Sequence, residues 1–391
     1  MKQAGKIFTG VLLGIVILMA LAVTGIYITG NGYVFKAFQK TILKGYSTAH
    51  IDDYVDFDNA VVRAGVPQHW ILHEKYNQLQ LTDILRKELE DFQSIGFAII
   101  KDGELLYEEY WDVYSSASLT NSFSMAKSIT VMLLGKAIEQ GYISGLDQRI
   151  IDFIPEFLKD SLGSLVTVGD LSSMRSGFDW TEEYYSPFGM TTEAYYGNRI
   201  EKQLLKRHFS SPPGGTFKYL SANTQLLAIV LKRATGKSLS QYLSEEFWQP
   251  MGMENDALWS LSGGVEKSFC CFHSNVRDYA KLGQLLLQNG NWNGVQLLDS
   301  RFVKQMITPC CDAFEPDEPK QYGHSIWIDE AHQPSFYGFM GHLGQRIIVV
   351  PDENIVIVRL GKSKDFVHPS KGHLETDTYT MVDEVVKMIG H

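Results

Sequence analysis

Ser124-Met125-Ala126-Lys127, continuing into Ser128-Ile129-Thr130-Val131-Met132-Leu133-Leu134-Gly135-Lys136-Ala137-Ile138, is the stretch whose reading decides the fold. The run after Lys127 is nearly free of charge and reads as a helix buried on most sides, stopped by Gly141 and a Gly145-Leu146-Asp147 turn. Positions i and i+3 share a helix face, so the Lys127 amine reaches the Ser124 hydroxyl. A serine needs a neighbouring base before it attacks a carbonyl, and lysine serves once burial or a nearby cation lowers its pKa. At the N-terminal end of a buried helix such a serine is held rigidly and faces the positive end of the helix dipole. Ser-x-x-Lys alone is a weak signal, and a surface lysine beside an N-cap serine is the plain alternative, so the rest of the chain has to decide.

Two further stretches bear on it. Pro212-Pro213-Gly214-Gly215-Thr216-Phe217-Lys218-Tyr219-Leu220-Ser221-Ala222-Asn223-Thr224 is a rigid turn delivering a tyrosine, a serine and an asparagine before an apolar helix. A phenol near an ammonium in a dry cleft has a lowered pKa and shuttles protons, which makes Tyr219 the candidate relay; the alternative is an aromatic beside a helix capped by Ser221 or Asn223. Phe339-Met340-Gly341-His342-Leu343-Gly344-Gln345 precedes a strand at Arg346 to Val350. Glycine there lets a substrate carbonyl approach backbone amides that stabilise an oxyanion. It is not a phosphate loop, because no strand pattern precedes it and no Lys-Ser or Lys-Thr follows.

In order and rough spacing, these three stretches resemble the serine β-lactamase and penicillin-binding-protein superfamily. The likeness is greatest to its class C-related serine hydrolases, which include 6-aminohexanoate-dimer hydrolases and family VIII-type esterases. Leu171-Ser172-Ser173-Met174-Arg175-Ser176-Gly177-Phe178-Asp179-Trp180, Ala234-Thr235-Gly236-Lys237 and Tyr322-Gly323 support it, and it spans about residues 65 to 390. The resemblance implies an α+β, β-lactamase/transpeptidase-like fold in which a mostly antiparallel sheet from both chain ends is flanked by helices. It implies Ser124 as acylated nucleophile, Lys127 as base, Tyr219 as proton relay, and the amides of Ser124 and His342, reached past Gly341, as oxyanion hole. Ser221 stands where class C enzymes usually carry asparagine, and Phe339-Met340-Gly341 stands at the Lys-Thr-Gly element, with His342 as the polar side chain beside it. Both departures favour an ester or small amide over a β-lactam. Ser221, Asn223, Trp180 and the Tyr184-Tyr185 pair are expected around the substrate, with loop packing the alternative for the aromatics.

The rest of the chain agrees. With 391 residues, 45% of them hydrophobic and 20% charged, it is an ordinary globular composition, and a net charge of −10 without a basic stripe excludes nucleic acid as partner. Ile7 to Thr29 carries no charge for 23 positions, enough to cross a bilayer. It is a transmembrane anchor or a signal peptide, and the length of the apolar run favours an anchor. Lys2 and Lys6 favour an inside N-terminus, hence a cell-envelope protein with its catalytic domain on the extracytoplasmic (periplasmic) side. Residues 30–64 read as a juxtamembrane extension and 65–391 as the hydrolase domain, with a mainly helical insertion at about 147–262. Strands are expected at Ile95 to Ile100, Leu105 to Tyr110, Gly323 to Ile328, Arg346 to Val350 and Ile355 to Leu360, and a closing helix at Thr376 to Met388. The cysteines form two adjacent pairs, Cys270-Cys271 and Cys310-Cys311, unsuited to zinc; a disulfide between the pairs and four buried thiols are both open. No cofactor is expected. Besides the ester or amide hydrolase, a D,D-peptidase or weak β-lactamase and an inert tethered binding protein stand as alternatives.

Overall fold

A computed structural model describes residues 2–310, 321–368 and 372–390. Cys311 lies outside the described residues. Seven strands form one antiparallel sheet, in the spatial order Gln321–Tyr322, Trp327–Asp329, Phe336–Gly341, Gln345–Val350, Ile355–Gly361, Ser94–Lys101 and Glu104–Tyr110. Ile355–Gly361 pairs directly with Ser94–Lys101, so the two ends of the chain meet in mid-sheet. These strands are apolar on both faces because both faces are covered. Ala98, Ile100, Ile347, Val349, Val356 and Val358 belong to the main core, whereas Phe97, Ile99, Ile348, Val350 and Ile357 belong to a second core with Leu85, Leu89, Val382 and Val385. The second core comes from the helices Asp83–Asp91 and Thr376–Ile389, the latter within a residue of expectation.

The helix that carries Lys127 runs Met125–Glu139, and Met125 to Ala137 are all buried. It packs on the helix Ser221–Thr235, which ends on Gly236 in the left-handed region, at φ 72°. The region between Asp147 and Ser262 is largely helices and loops, as expected, but it ends in a strand that was not. Ala257–Ser262 joins Asn59–Val62, Phe272–Ser274 and Thr120–Asn121 in a small second sheet. A strand, Phe336–Gly341, also precedes the glycine-bearing stretch where none was read, and the strand read at Gly323 to Ile328 is two short ones joined by a turn.

The N-terminal helix spans Lys2–Ile28, and its section Ile7–Ile28, 22 residues, is long and apolar enough to cross a membrane. Most of its large described side chains point outward; Leu18 is 68% exposed. Residues 30–64 are structured: the helix Tyr33–Lys40 packs on the helix Met190–Tyr196, and Asn59–Val62 pairs with Ala257–Ser260.

Candidate active site

Three segments converge on a cavity of about 570 Å³ bordered by Ser124, Tyr219, Ser221, Phe269, Gly341 and His342. Ser124 is the residue before the helix, partly exposed at the cavity. The turn delivering it is strained: Phe123 has φ 46°, held there by its N–H donating to Asn121 Oδ1 at 2.8 Å. Asn121 is itself fixed by donating to Asp53 at 2.9 Å, and Tyr195 donates to the same carboxylate.

Lys127 lies behind the serine at 1% exposure. Its Nζ donates to Ser124 Oγ at 3.0 Å and to the Phe269 carbonyl at 2.9 Å. Burial pulls its pKa down to about 8, opposed by the charge of Glu182. Tyr219 lies over this pair, its ring centroid 4.9 Å from Nζ and its hydroxyl close enough to Ser124 for the serine to favour the phenolate. Its pKa does not move as the sequence suggested. Burial and the Glu182 charge push the phenol up, and Ser124 only partly opposes them, so it stays protonated at neutral pH.

The end of strand Phe336–Gly341 abuts this turn. A Cβ on Gly341 would stand 2.3 Å from the Ser122 carbonyl, so glycine is what lets the strand come this close. Arg346 Nη1 donates to the Gly341 carbonyl at 2.9 Å. In a trans peptide C=O and N–H point oppositely, so this bond turns the His342 N–H away from Arg346. The His342 ring meets Phe123 edge-on at 5.4 Å and stacks on Tyr184 at 6.0 Å. Burial lowers its pKa to about 4, so it is neutral at pH 7 and does not replace the missing lysine. The cations bordering the cavity, Arg346 and Lys364, both pair with Glu375.

Glu182 is the functional group that sequence reading missed. It accepts from Ser221 Oγ at 2.5 Å and Ser221 N at 2.9 Å, from Trp180 Nε1 at 3.0 Å and from the Tyr184 hydroxyl at 2.9 Å. The signal was a carboxylate set between the two aromatics already singled out. Tyr185 borders the cavity at 76% exposure, whereas Trp180, 1% exposed, does not. Asn223 is turned inward, accepting from Ser176 Oγ at 2.5 Å. Two residues apart on a helix is about 200°, so with Ser221 facing the cavity Asn223 faces the core. Cys270, at the cavity wall, is bonded to its neighbour Cys271, and not across to the second pair.

A serine and a lysine on one buried helix, set against the inner end of an antiparallel sheet strand, define the class of serine hydrolases built on the β-lactamase fold. The beta-lactamase family model matches residues 81–377, and the chain belongs to that family. It is 24% identical over 302 residues to a 6-aminohexanoate-dimer hydrolase of Paenarthrobacter ureafaciens, covering 72% of this chain and 76% of that one. Its fold matches a family VIII carboxylesterase at TM-score 0.63 and 17% identity, covering 82% and 99% of the two chains. A penicillin-binding-protein homologue from Caulobacter crescentus matches at TM-score 0.63 and 15% identity, with the same coverage. The relatives are amidases, esterases and peptidases, and this protein is a hydrolase of their family.

Proposed function

We propose that the protein is a membrane-anchored serine hydrolase that cleaves an ester or small amide through an acyl-enzyme, with its catalytic domain on the extracytoplasmic side. The observation that carries this reading is the 3.0 Å contact between Ser124 Oγ and the Nζ of a lysine whose pKa is held near 8. At pH 7 about a tenth of such amines are neutral, enough to take the serine proton. Oγ then bonds to the substrate carbonyl carbon, and the oxyanion lies against the Ser124 and His342 amides. Tyr219, protonated and lining the cavity beside Ser124, gives its proton to the departing alcohol or amine and is reprotonated from Lys127. Water attacks the acyl-enzyme by the same route in reverse, releasing the acid and restoring Ser124. An ester or neutral amide is preferred because Arg346 and Lys364 are engaged by Glu375, which leaves a substrate carboxylate weakly held.

The test is intact-mass spectrometry of wild type and Ser124→Ala after a fluorophosphonate and, separately, a fluorescent penicillin. One fluorophosphonate adduct on wild type and none on Ser124→Ala is expected. Adducts on both proteins would sink the assignment of Ser124. A stable penicillin adduct would move the reading to a D,D-peptidase, and no adduct with either reagent to an inert binding protein.

A further inference from the structure

One wall of the cavity comes from outside the region that matches the family. That match covers residues 81–377, yet Val34, Ala37, Phe38 and Ile42, from the helix Tyr33–Lys40 and the turn after it, border the same cavity as Ser124 and Tyr219. The spacing of Val34, Ala37 and Phe38 places them on one face of the helix, and Ile42 from the following turn extends this apolar wall along the cavity. Only residues 29–32 separate this helix from Ile28, the last residue of the apolar N-terminal helix. Four residues reach at most about 14 Å, so the wall starts close to where that helix would leave a bilayer. The junction is fixed: Tyr27 stacks on Phe35 with centroids 5.2 Å apart, and Arg199 donates to the Gly30 carbonyl at 3.0 Å.

The mouth is apolar as well. Phe38 is 50% exposed, Ile42 54%, Val367 48% and Tyr185 76%, and all four border the cavity. Such a rim is costly against water and is matched by lipid. Around the end of the N-terminal helix, Arg199, Lys202, Lys206 and Arg207 share a groove with Thr29–Asn31; Asp179, which pairs with Arg207 at 3.6 Å, and Glu193 lie in it too, so four cations against two carboxylates leave an excess of positive charge for anionic headgroups.

We propose that the substrate is a long-chain amphiphile resident in the bilayer, an ester or amide whose acyl chain lies along the Val34–Ile42 wall while its carbonyl reaches Ser124. The proposal rests on the acyl-transfer reading above. The acyl chain passes to Ser124 Oγ, the head group leaves as alcohol or amine with one proton, and water then releases the fatty acid.

The experiment uses the full chain in phosphatidylcholine–phosphatidylglycerol vesicles with 4-methylumbelliferyl esters of two, eight and sixteen carbons. kcat/KM is expected to rise at least about tenfold from two to eight carbons, a fraction of the roughly fourfold per methylene that full burial would give. Ala37→Phe, which fills the wall, is expected to lower the ratio of sixteen-carbon to two-carbon activity at least about fivefold. Turnover of the sixteen-carbon ester is expected to be faster when it shares the enzyme's vesicle than when it is supplied in separate vesicles. Equal rates would overturn bilayer residence in favour of a dissolved ester. Hydrolysis of the two-carbon ester with a flat or falling profile would overturn the inference and leave the acyl-transfer reading standing. No hydrolysis at any length would overturn both.

Discussion

Among the buried lysines, Lys127 at 1% exposure and Lys267 at 0% make an instructive pair, and burial lowers the pKa of both. Each has a carboxylate nearby that opposes the shift, Glu182 for the first and Asp53 for the second. Their surroundings differ. Lys127 Nζ bonds to a serine that opens on a cavity, while Lys267 Nζ sits 3.3 Å from the centroid of Phe57 and 5.2 Å from that of Tyr195, with no hydrogen-bond partner. Asp53, pushed up to about 6 by burial, spends its oxygens on Asn121 and Tyr195 and so supports the strained Phe123 turn. A depressed ammonium therefore marks a base only where a nucleophile and room for a substrate adjoin it.

The comparison breaks most visibly in activity. Lys127→Met is expected to lower kcat by about a thousandfold or more, because nucleophile and base act as a unit. Lys267→Met is expected to keep kcat within about tenfold of wild type. Both are read with a fluorogenic ester on protein whose circular dichroism is native. Comparable losses in the two variants would erase the distinction between them.

In stability the two lysines should behave alike. Lowering the Lys127 pKa from 10.5 to about 8 corresponds to roughly 3 kcal/mol of cost to the folded state at neutral pH, an upper figure for what Lys127→Met can recover. The sign follows from proton counts. Below about pH 8 both states hold the proton and the cost is complete; between about 8 and 10.5 the unfolded chain binds more protons, so wild-type stability rises with pH. Denaturant melts in detergent should therefore show Lys127→Met ahead of wild type at pH 7, with the gap narrowing by pH 9.5. Lys267→Met is expected to gain stability at pH 7 as well. A loss in either variant would mean that the ammonium makes contacts worth more than its desolvation.

A smaller effect separates the lysines through pH. kcat/KM should rise about tenfold per unit below pH 8 and level off above it, tracking the neutral Lys127 amine. His342, near 4, contributes nothing in that range. A profile flat from pH 6 to 9 would remove Lys127 as the base.

What could be read from the chain alone follows from how local each signal is. Ser124 and Lys127 are one helical turn apart, and the sheet strands are continuous apolar runs, so both were legible. Tyr219 was legible as a residue and misread in its titration, because burial outweighs a neighbouring ammonium and no local pattern reports burial of a single hydroxyl. Asn223 was assigned to the cleft along with Ser221, and a helix turns it inward within two residues; Trp180 was assigned there as an aromatic, and its buried indole instead donates to Glu182. The small second sheet was invisible because Asn59–Val62 finds its partner some 200 residues on. The cavity wall did carry a helical stripe at Val34, Ala37 and Phe38, but a helix of eight residues interrupted by Lys36 and Lys40 is too short for periodicity to stand out.

The finest test concerns the two carboxylates. Glu182→Gln keeps an acceptor for Ser221 and removes the charge that raises the Lys127 pKa, so the acidic limb of the rate profile should move to lower pH. Asp53→Asn removes the corresponding charge beside Lys267 and should leave the position of that limb where it was, even if the Phe123 turn loosens and kcat falls. The readout is the pH of half-maximal kcat/KM, which a purely structural lesion does not move. If Asp53→Asn shifts it as far as Glu182→Gln does, Lys127 and Lys267 form one electrostatic system, and the division between a catalytic ammonium and a structural one fails.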